Sequence, residues 1–250
     1  MRRNGFTLIE MIITITVVSV LFLAIAGFVE FGARGYVDSA DRQRLQNQAR
    51  FALEKMTREF RHAVPNSFET TSLNKCLSFY PIKYTGFYIE QLDLDDPENP
   101  ILTLEFVLGN DGISYPLTFD DKDFMVINPS RIEDLESGSP QRLSLKDESI
   151  AIDSTGEVLS TVESHSIGRR HFVFNEDNKV TYCISGSLLT RETSSEGTVT
   201  VAEYVNSTDS SFAYEQASLQ RGGLIHMNFV FNLGDEVSEY QHDVQVMNVQ

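Results

Sequence analysis

Glu10 is the residue whose setting poses the sharpest chemical problem in this 250-residue chain. It is the only formal charge among residues 6–29, a run of 24 mostly apolar residues. A carboxylate held in hydrocarbon costs several kcal/mol unless something pairs with it. The other reactive side chains form no such focus. The five histidines, His62, His165, His171, His226 and His242, include no pair at helix or strand metal-binding spacing. No nucleophile elbow, phosphate loop or H-E-x-x-H helix is present. His242 and Asp243 are adjacent in a predicted strand and so point to opposite faces. Asp93, Asp95 and Asp96 form one acidic cluster, and Asp120, Asp121 and Asp123 another. Oxygen-rich loops can hold Ca²⁺, but neither cluster has the spaced ligands and glycine of an EF-hand, and a solvated acidic loop is the simpler reading. Cys76 and Cys183 fit neither a zinc nor a dithiol redox spacing. In a reducing compartment they would be buried thiols, and in an oxidising one a bridge closing a long loop. These residue types therefore predict no catalytic site and no cofactor, with Ca²⁺ as the alternative.

The element carrying Glu10 decides the compartment. Residues 6–29 are enough to span roughly 30 Å of hydrocarbon as a helix. Arg2 and Arg3 precede the run, and the next charges are Glu30 and Arg34, so the short N-terminus stays cytoplasmic and the remainder is exported. A secretory signal peptide is one alternative, with Ala24-Ile25-Ala26 as a small-residue cleavage site. The run is long for that, and Glu10 interrupts it. A plain membrane anchor explains the length and leaves Glu10 unpaired. The paired arginines alone are too little for twin-arginine export.

The helix is predicted to continue. Leu45, Ala49, Ala52, Leu53, Met56, Phe60, Ala63 and Val64 recur at spacings of three and four, one apolar stripe. Arg42, Arg44, Arg50, Lys55, Arg58 and Arg61 occupy the other face, read as solvated. Pro65 disfavours helix at the residue before it. A helix over residues 6–64 would be about 88 Å long. Gly27, Gly32 and Gly35 between its halves predict a bend or local melting.

Beyond Pro65 the pattern turns to strands: 76–84, with Pro81 at an edge or bulge, then 101–108, 114–119, 123–128, 157–162, 170–175 and 179–184. Residues 109–112 read as a turn, and 175–178 as the turn of a hairpin. Residues 224–231 and 236–249 alternate as a closing hairpin around 232–235. Acidic or Ser/Thr-rich stretches at 93–100, 133–140 and 193–197 read as exposed loops. The fold class is α+β: a long N-terminal helix, transmembrane in its first half, packed on a largely antiparallel sheet domain. The boundaries are residues 1–5, 6–29, 30–64 and 65–250. Residues 1–64 carry a net charge of +3 and residues 65–250 a net charge of −19. So acidic a bulk repels phosphate backbones, and nucleic acid is excluded as a partner.

The stretch Gly5-Phe6-Thr7-Leu8-Ile9-Glu10 resembles the processing site of type IV prepilins and pseudopilins. That resemblance implies a leader of residues 1–5, cleavage after Gly5 by a prepilin peptidase, and methylation of the new amine on Phe6. It implies assembly contacts at Phe6, Leu8 and Glu10. The new α-amine of an incoming subunit would neutralise Glu10 of a neighbour, since opposite charges in a low dielectric attract strongly. The implied partners are other major and minor pilins and an inner-membrane assembly platform. The implied fold is pilin-like, with a periplasmic domain over residues 65–250 that later reaches the pilus. Export in turn implies a Cys76–Cys183 disulfide. The phrases at 50–67, 169–186 and 227–250 resemble larger minor pilins, nearest to those of the mannose-sensitive haemagglutinin (MSHA) pilus system. A J-type minor pseudopilin of a type II secretion system and a pilus-displayed adhesin head share the same N-terminal chemistry.

Overall fold

A computed structural model describes residues 7–71, 73–91, 101–106, 117–146, 149–150, 155–159, 165–217 and 222–246. The first element, α1 (Leu8–Arg61), is one helix of 54 residues, about 81 Å long at 1.5 Å per residue. The local melting expected at Gly27, Gly32 and Gly35 does not occur, since α1 runs unbroken through all three. Nothing lies within 4 Å of where a Cβ would sit at any of the three, so no neighbour deflects the backbone. The helical runs on either side outweigh an intrinsic cost of about 1 kcal/mol per glycine. The helix stops at Arg61, ahead of Pro65. His62 caps it, its N–H donating to the carbonyls of Glu59 and Phe60.

Sixteen strands follow among the described residues. The first six are β1 (Glu69–Thr71), β2 (Cys76–Phe79), β3 (Tyr84–Gln91), β4 (Ile101–Phe106), β5 (Leu117–Thr118) and β6 (Asp123–Val126). Next come β7 (Arg142–Ser144), β8 (Ser149–Ile150), β9 (Thr155–Leu159), β10 (Arg170–Asn175) and β11 (Val180–Ser185). The last are β12 (Leu188–Thr193), β13 (Gly197–Glu203), β14 (Ser211–Glu215), β15 (Leu224–Leu233) and β16 (Glu236–Gln245). They form sheets in the orders β1-β2-β11-β12-β13, β7-β6-β10-β3-β4-β9, β14-β15-β16 and β5-β8. The described ladders are antiparallel, so the α+β architecture expected from the sequence is the one observed.

The stripe on α1 does what its spacing predicts. Leu45, Ala49, Ala52, Met56 and Phe60 are fully buried against the five-stranded and three-stranded sheets, in one core with Leu77, Phe79, Tyr182, Ile225 and Phe229. The strand β15 alternates inward at Ile225, Met227, Phe229 and Phe231, as a half-buried strand should. A smaller core of Val64, Val126, Leu135, Phe172 and Phe174 lies beyond the helix end, on the six-stranded sheet.

Three local expectations are corrected. The run 76–84 is two strands in two sheets, not one. Pro81 offers no N–H, β2 ends at Phe79, and the chain crosses at 80–83 into β3. Val64 N–H donates to the Tyr80 carbonyl (2.8 Å) and Ile82 N–H to the His62 carbonyl (2.9 Å), tying this crossing to the end of α1. Residues 170–175 and 180–185 do not form a hairpin either. The residues between them, Glu176–Asn178, make a 3₁₀ turn, with Asn175 Oδ1 accepting from Asp177 N–H. That turn hands the chain from one sheet to the other, where β10 pairs with β3 and β6, and β11 with β2 and β12. The closing hairpin is present but tighter than 232–235. Asn232 and Leu233 pair with Val237 and Glu236. The turn is Gly234-Asp235, with Gly234 at φ 60°, as primed hairpin turns require.

The expected turn at 109–112 and the loop at 93–100 lie outside the described residues, as do parts of the strands expected at 101–108, 114–119 and 157–162.

Candidate functional site

Thr7 is the N-cap of α1. Its Oγ1 accepts from the Glu10 backbone N–H at 3.4 Å, which places Glu10 in the first helical turn. A carboxylate there faces the positive end of the helix dipole. Thr7-x-x-Glu10 is the sequence pattern of a capping box, a signal the apolar-run reading passed over. Among the described residues nothing pairs with the Glu10 carboxylate. Gly5 and Phe6 lie outside the described residues.

From Leu8, which is 79% exposed, to Phe31 at 80%, the large apolar side chains of α1 are all exposed. The polar groups within this stretch are satisfied by the helix itself. Thr14 Oγ1 donates to the Met11 carbonyl, Thr16 to Ile12 and Ile13, and Ser19 Oγ to Ile15. A helix with its backbone and hydroxyls bonded internally and its surface apolar is compatible with lipid or with other such helices. Its length and composition suit a single membrane crossing.

The second half of the helix is held to the sheets by ions as well as by apolar contact. The Glu59 carboxylate receives Lys55 Nζ at 2.9 Å and Arg191 Nε at 3.0 Å. Burial pushes the Glu59 carboxyl up, but the hydrogen bonds from Lys55 and Arg191 outweigh it and leave it below the ordinary carboxylate value. Arg42, nearer the membrane segment, pairs with Glu236 at 2.9 Å. The solvated reading of the basic face therefore holds for Arg42, Arg44, Arg50, Arg58 and Arg61, all exposed, but not for the half-buried Lys55.

Cys76 and Cys183 are bonded to each other across the β2–β11 ladder, where they face each other in register. In the second acidic cluster Asp120 and Asp121 are exposed, as a solvated loop requires, but Asp123 is not. Asp123 is fully buried and accepts from Lys83 Nζ (2.6 Å), Asn175 Nδ2 (2.8 Å) and the Asp120 N–H (2.8 Å). Asp120 also faces Lys83, and Asp121 pairs with Lys146. The charge Ca²⁺ would supply is thus already provided by lysines. Asp93, Asp95 and Asp96 lie outside the described residues. Among the described residues no three His, Cys, Asp or Glu side chains converge as a metal site.

The histidines are dispersed. His171 is buried in β10, His165 is exposed, and His62 and His242 line one groove beside α1. His226 has a setting that adjacency in sequence could not reveal. Its Nδ1 lies 2.7 Å from Asp243 Oδ1 on β16, and its Nε2 lies 3.4 Å from Glu215 Oε1 on β14. The hydrogen bond to Asp243 comes first in raising its pKa. Burial comes second and opposes it, and the charge of Asp243 and the contact with Glu215 add to the rise. The folded value exceeds the unfolded one, so this contribution is full below the unfolded pKa near 6.5 and fades as pH rises through the folded pKa. The pair is exposed, which limits it to about 1 kcal/mol at most. Between pH 6 and 8 the wild-type protein should lose a small increment of stability that His226→Gln lacks, measured as urea midpoints at each pH.

Residues 1–26 match the family model described as the prokaryotic N-terminal methylation motif. No curated protein and no solved structure matches the chain. The motif supports a type IV pilin-like or pseudopilin precursor, a class of structural subunits processed by prepilin peptidase and assembled with other pilins.

Proposed function

We propose that this chain is a minor pilin-like subunit of a type IV pilus, most similar in kind to MshO of the MSHA system. The reading rests on one conjunction: a methylation motif over residues 1–26 opens a helix that leaves its apolar surface uncovered. The rest of that helix is clamped to a β-rich head. Function then comes from shape and charge. Residues 1–5 are a leader, removed after Gly5, and Phe6 becomes a methylated amino terminus. Residues 6–29 cross the inner membrane with the N-terminus cytoplasmic, and residues 65–250 lie in the periplasm before reaching the pilus.

Glu10 is the assembly residue, with Phe6 and Leu8 beside it. A subunit entering from the bilayer brings its α-amine to the carboxylate of one already packed, and each removes the other's desolvation penalty. The large acidic head, bigger than a shaft subunit needs, favours a rare subunit near the tip. Intact mass of the mature protein tests the first step: loss of residues 1–5 with gain of one methyl group is expected. A cut after Ala26 would sink the reading. Glu10→Ala tests the second. Cleavage should be normal, while the subunit recovered in sheared pili falls by about ten-fold or more, the effect of losing a paired charge in a low dielectric. Wild-type incorporation would remove Glu10 from assembly. The J-type pseudopilin alternative has the same processing and is distinguished by deletion, which would abolish type II secretion instead of piliation.

A further inference from the structure

We infer that the C-terminal end of α1 is a docking surface for an acidic, partly apolar segment of a partner protein. Residues 65–250 hold 30 acidic and 11 basic residues. In such a domain cations are expected to be consumed internally. Most are: Lys83, Lys122, Arg142, Lys146, Lys179 and Arg191 all meet carboxylates. On α1, Arg44, Arg50, Arg58 and Arg61 meet none among the described residues, and of these Arg58 and Arg61, one helical turn apart, line a single groove together.

The first groove, about 420 Å³, lies between α1 and β16 and is lined by Arg58, Arg61, His62, His242 and Leu53. The second, about 300 Å³, lies between the helix end and the six-stranded sheet. Arg61 and His62 line it too, together with the apolar side chains of Ile82, Phe87 and Phe172. The shared residues join the two grooves into one path. Glu54 is the one carboxylate among the described residues that lines either groove, and it is not within ion-pair distance of Arg58.

The chemistry of this path selects its occupant. Guanidinium groups in pairs suit carboxylates. Phe87 is 42% exposed, and Ile89, two residues along the same face of β3, is 45% exposed, so apolar surface continues from the second groove. A segment that alternates acidic with apolar side chains satisfies both features. A membrane does not reach it: Arg58 lies about 44 Å beyond Val29 along the helix. A nucleic acid would meet a domain of net charge −19. The inference holds whichever filament the chain joins, because it does not depend on processing at Gly5.

The test uses the full chain in detergent micelles and a fluorescein-labelled peptide of about ten residues alternating glutamate with leucine, followed by anisotropy. Wild type should bind, and more weakly as salt rises. R58E/R61E should weaken binding by about ten-fold or more, and F87S by a smaller factor. R44E/R50E, the same charge change earlier on the helix, should bind within about two-fold of wild type. A glutamine-for-glutamate peptide should fail to bind. Unchanged urea midpoints in R58E/R61E establish that the variant is folded, both residues being exposed. Absence of binding to wild type, equal binding by R58E/R61E, or equal binding of the glutamine peptide overturns the proposal. So does a concentration-dependent dimer abolished by R58E/R61E, which would give the face to a second copy. Binding to phosphatidylglycerol vesicles lost in the same variant would overturn it in favour of lipid.

Discussion

Phe60→Ala is expected to lower the unfolding free energy by about 3–5 kcal/mol, the range for a buried aromatic residue cut to alanine. Phe60 is fully buried, and its ring sits edge-on to three others. Phe68 is at 5.7 Å, Phe79 at 5.4 Å and Tyr182 at 5.9 Å between centroids. Such edge-to-face contacts add to the area buried. The position matters as much as the area. Phe79 belongs to β2 and Tyr182 to β11, so one side chain on the last turn of α1 joins the helix to two neighbouring strands of the five-stranded sheet. Neither strand can move to fill the space, because the disulfide and the ladder fix their separation. Urea unfolding of the full chain in micelles should show a lowered midpoint with an unchanged slope. Arg50→Ala, exposed on the same helix, should stay within about 0.5 kcal/mol of wild type. A Phe60→Ala midpoint equal to that of Arg50→Ala would mean that the helix end does not anchor the head.

The anchoring stripe was legible in the sequence because helical spacing is a local signal. Leu45, Ala49, Ala52, Met56 and Phe60 had only to repeat at three and four residues to announce a face. The closing hairpin was legible for a similar reason, its alternation and its glycine lying within one short window. What failed was pairing over distance. Residues 170–175 and 180–185 look like neighbours in a hairpin, yet each has better partners about 100 residues earlier, β3 for the one and β2 for the other. No local pattern encodes that exchange. Asp123 failed in the same way: beside Asp120 and Asp121 it reads as part of a wet acidic loop, and only the fold brings Lys83 and Asn175 to bury it. His226 needed two flanking strands before its carboxylates appeared. In the N-terminal motif, Glu10 stood out through its apolar surroundings, whereas Thr7 was hidden beside it although its capping role was written in the spacing.

The bond between Cys76 and Cys183 should carry the second large effect, and it should act on the unfolded chain. The two residues are 107 apart. Between them lie β3, β4, β6, β7, β9 and β10, the whole six-stranded sheet. Closing a loop of that length removes about 4–5 kcal/mol of chain entropy from the unfolded ensemble in the entropy model. C76S/C183S should therefore lose up to that amount, and the single variants should lose as much as the double, since either one opens the loop. Wild type unfolded in dithiothreitol should match them. The origin of the loss can be read separately from its size. If the bond constrains the unfolded chain, opening it allows that chain to expand, and the denaturant slope should rise along with the fall in midpoint. If the loss came from native contacts alone, the slope would stay constant. Equal midpoints for oxidised and reduced protein would remove the disulfide from the stability of the head altogether. That outcome would leave the β2–β11 ladder and the core beneath α1 to hold the five-stranded sheet together unaided.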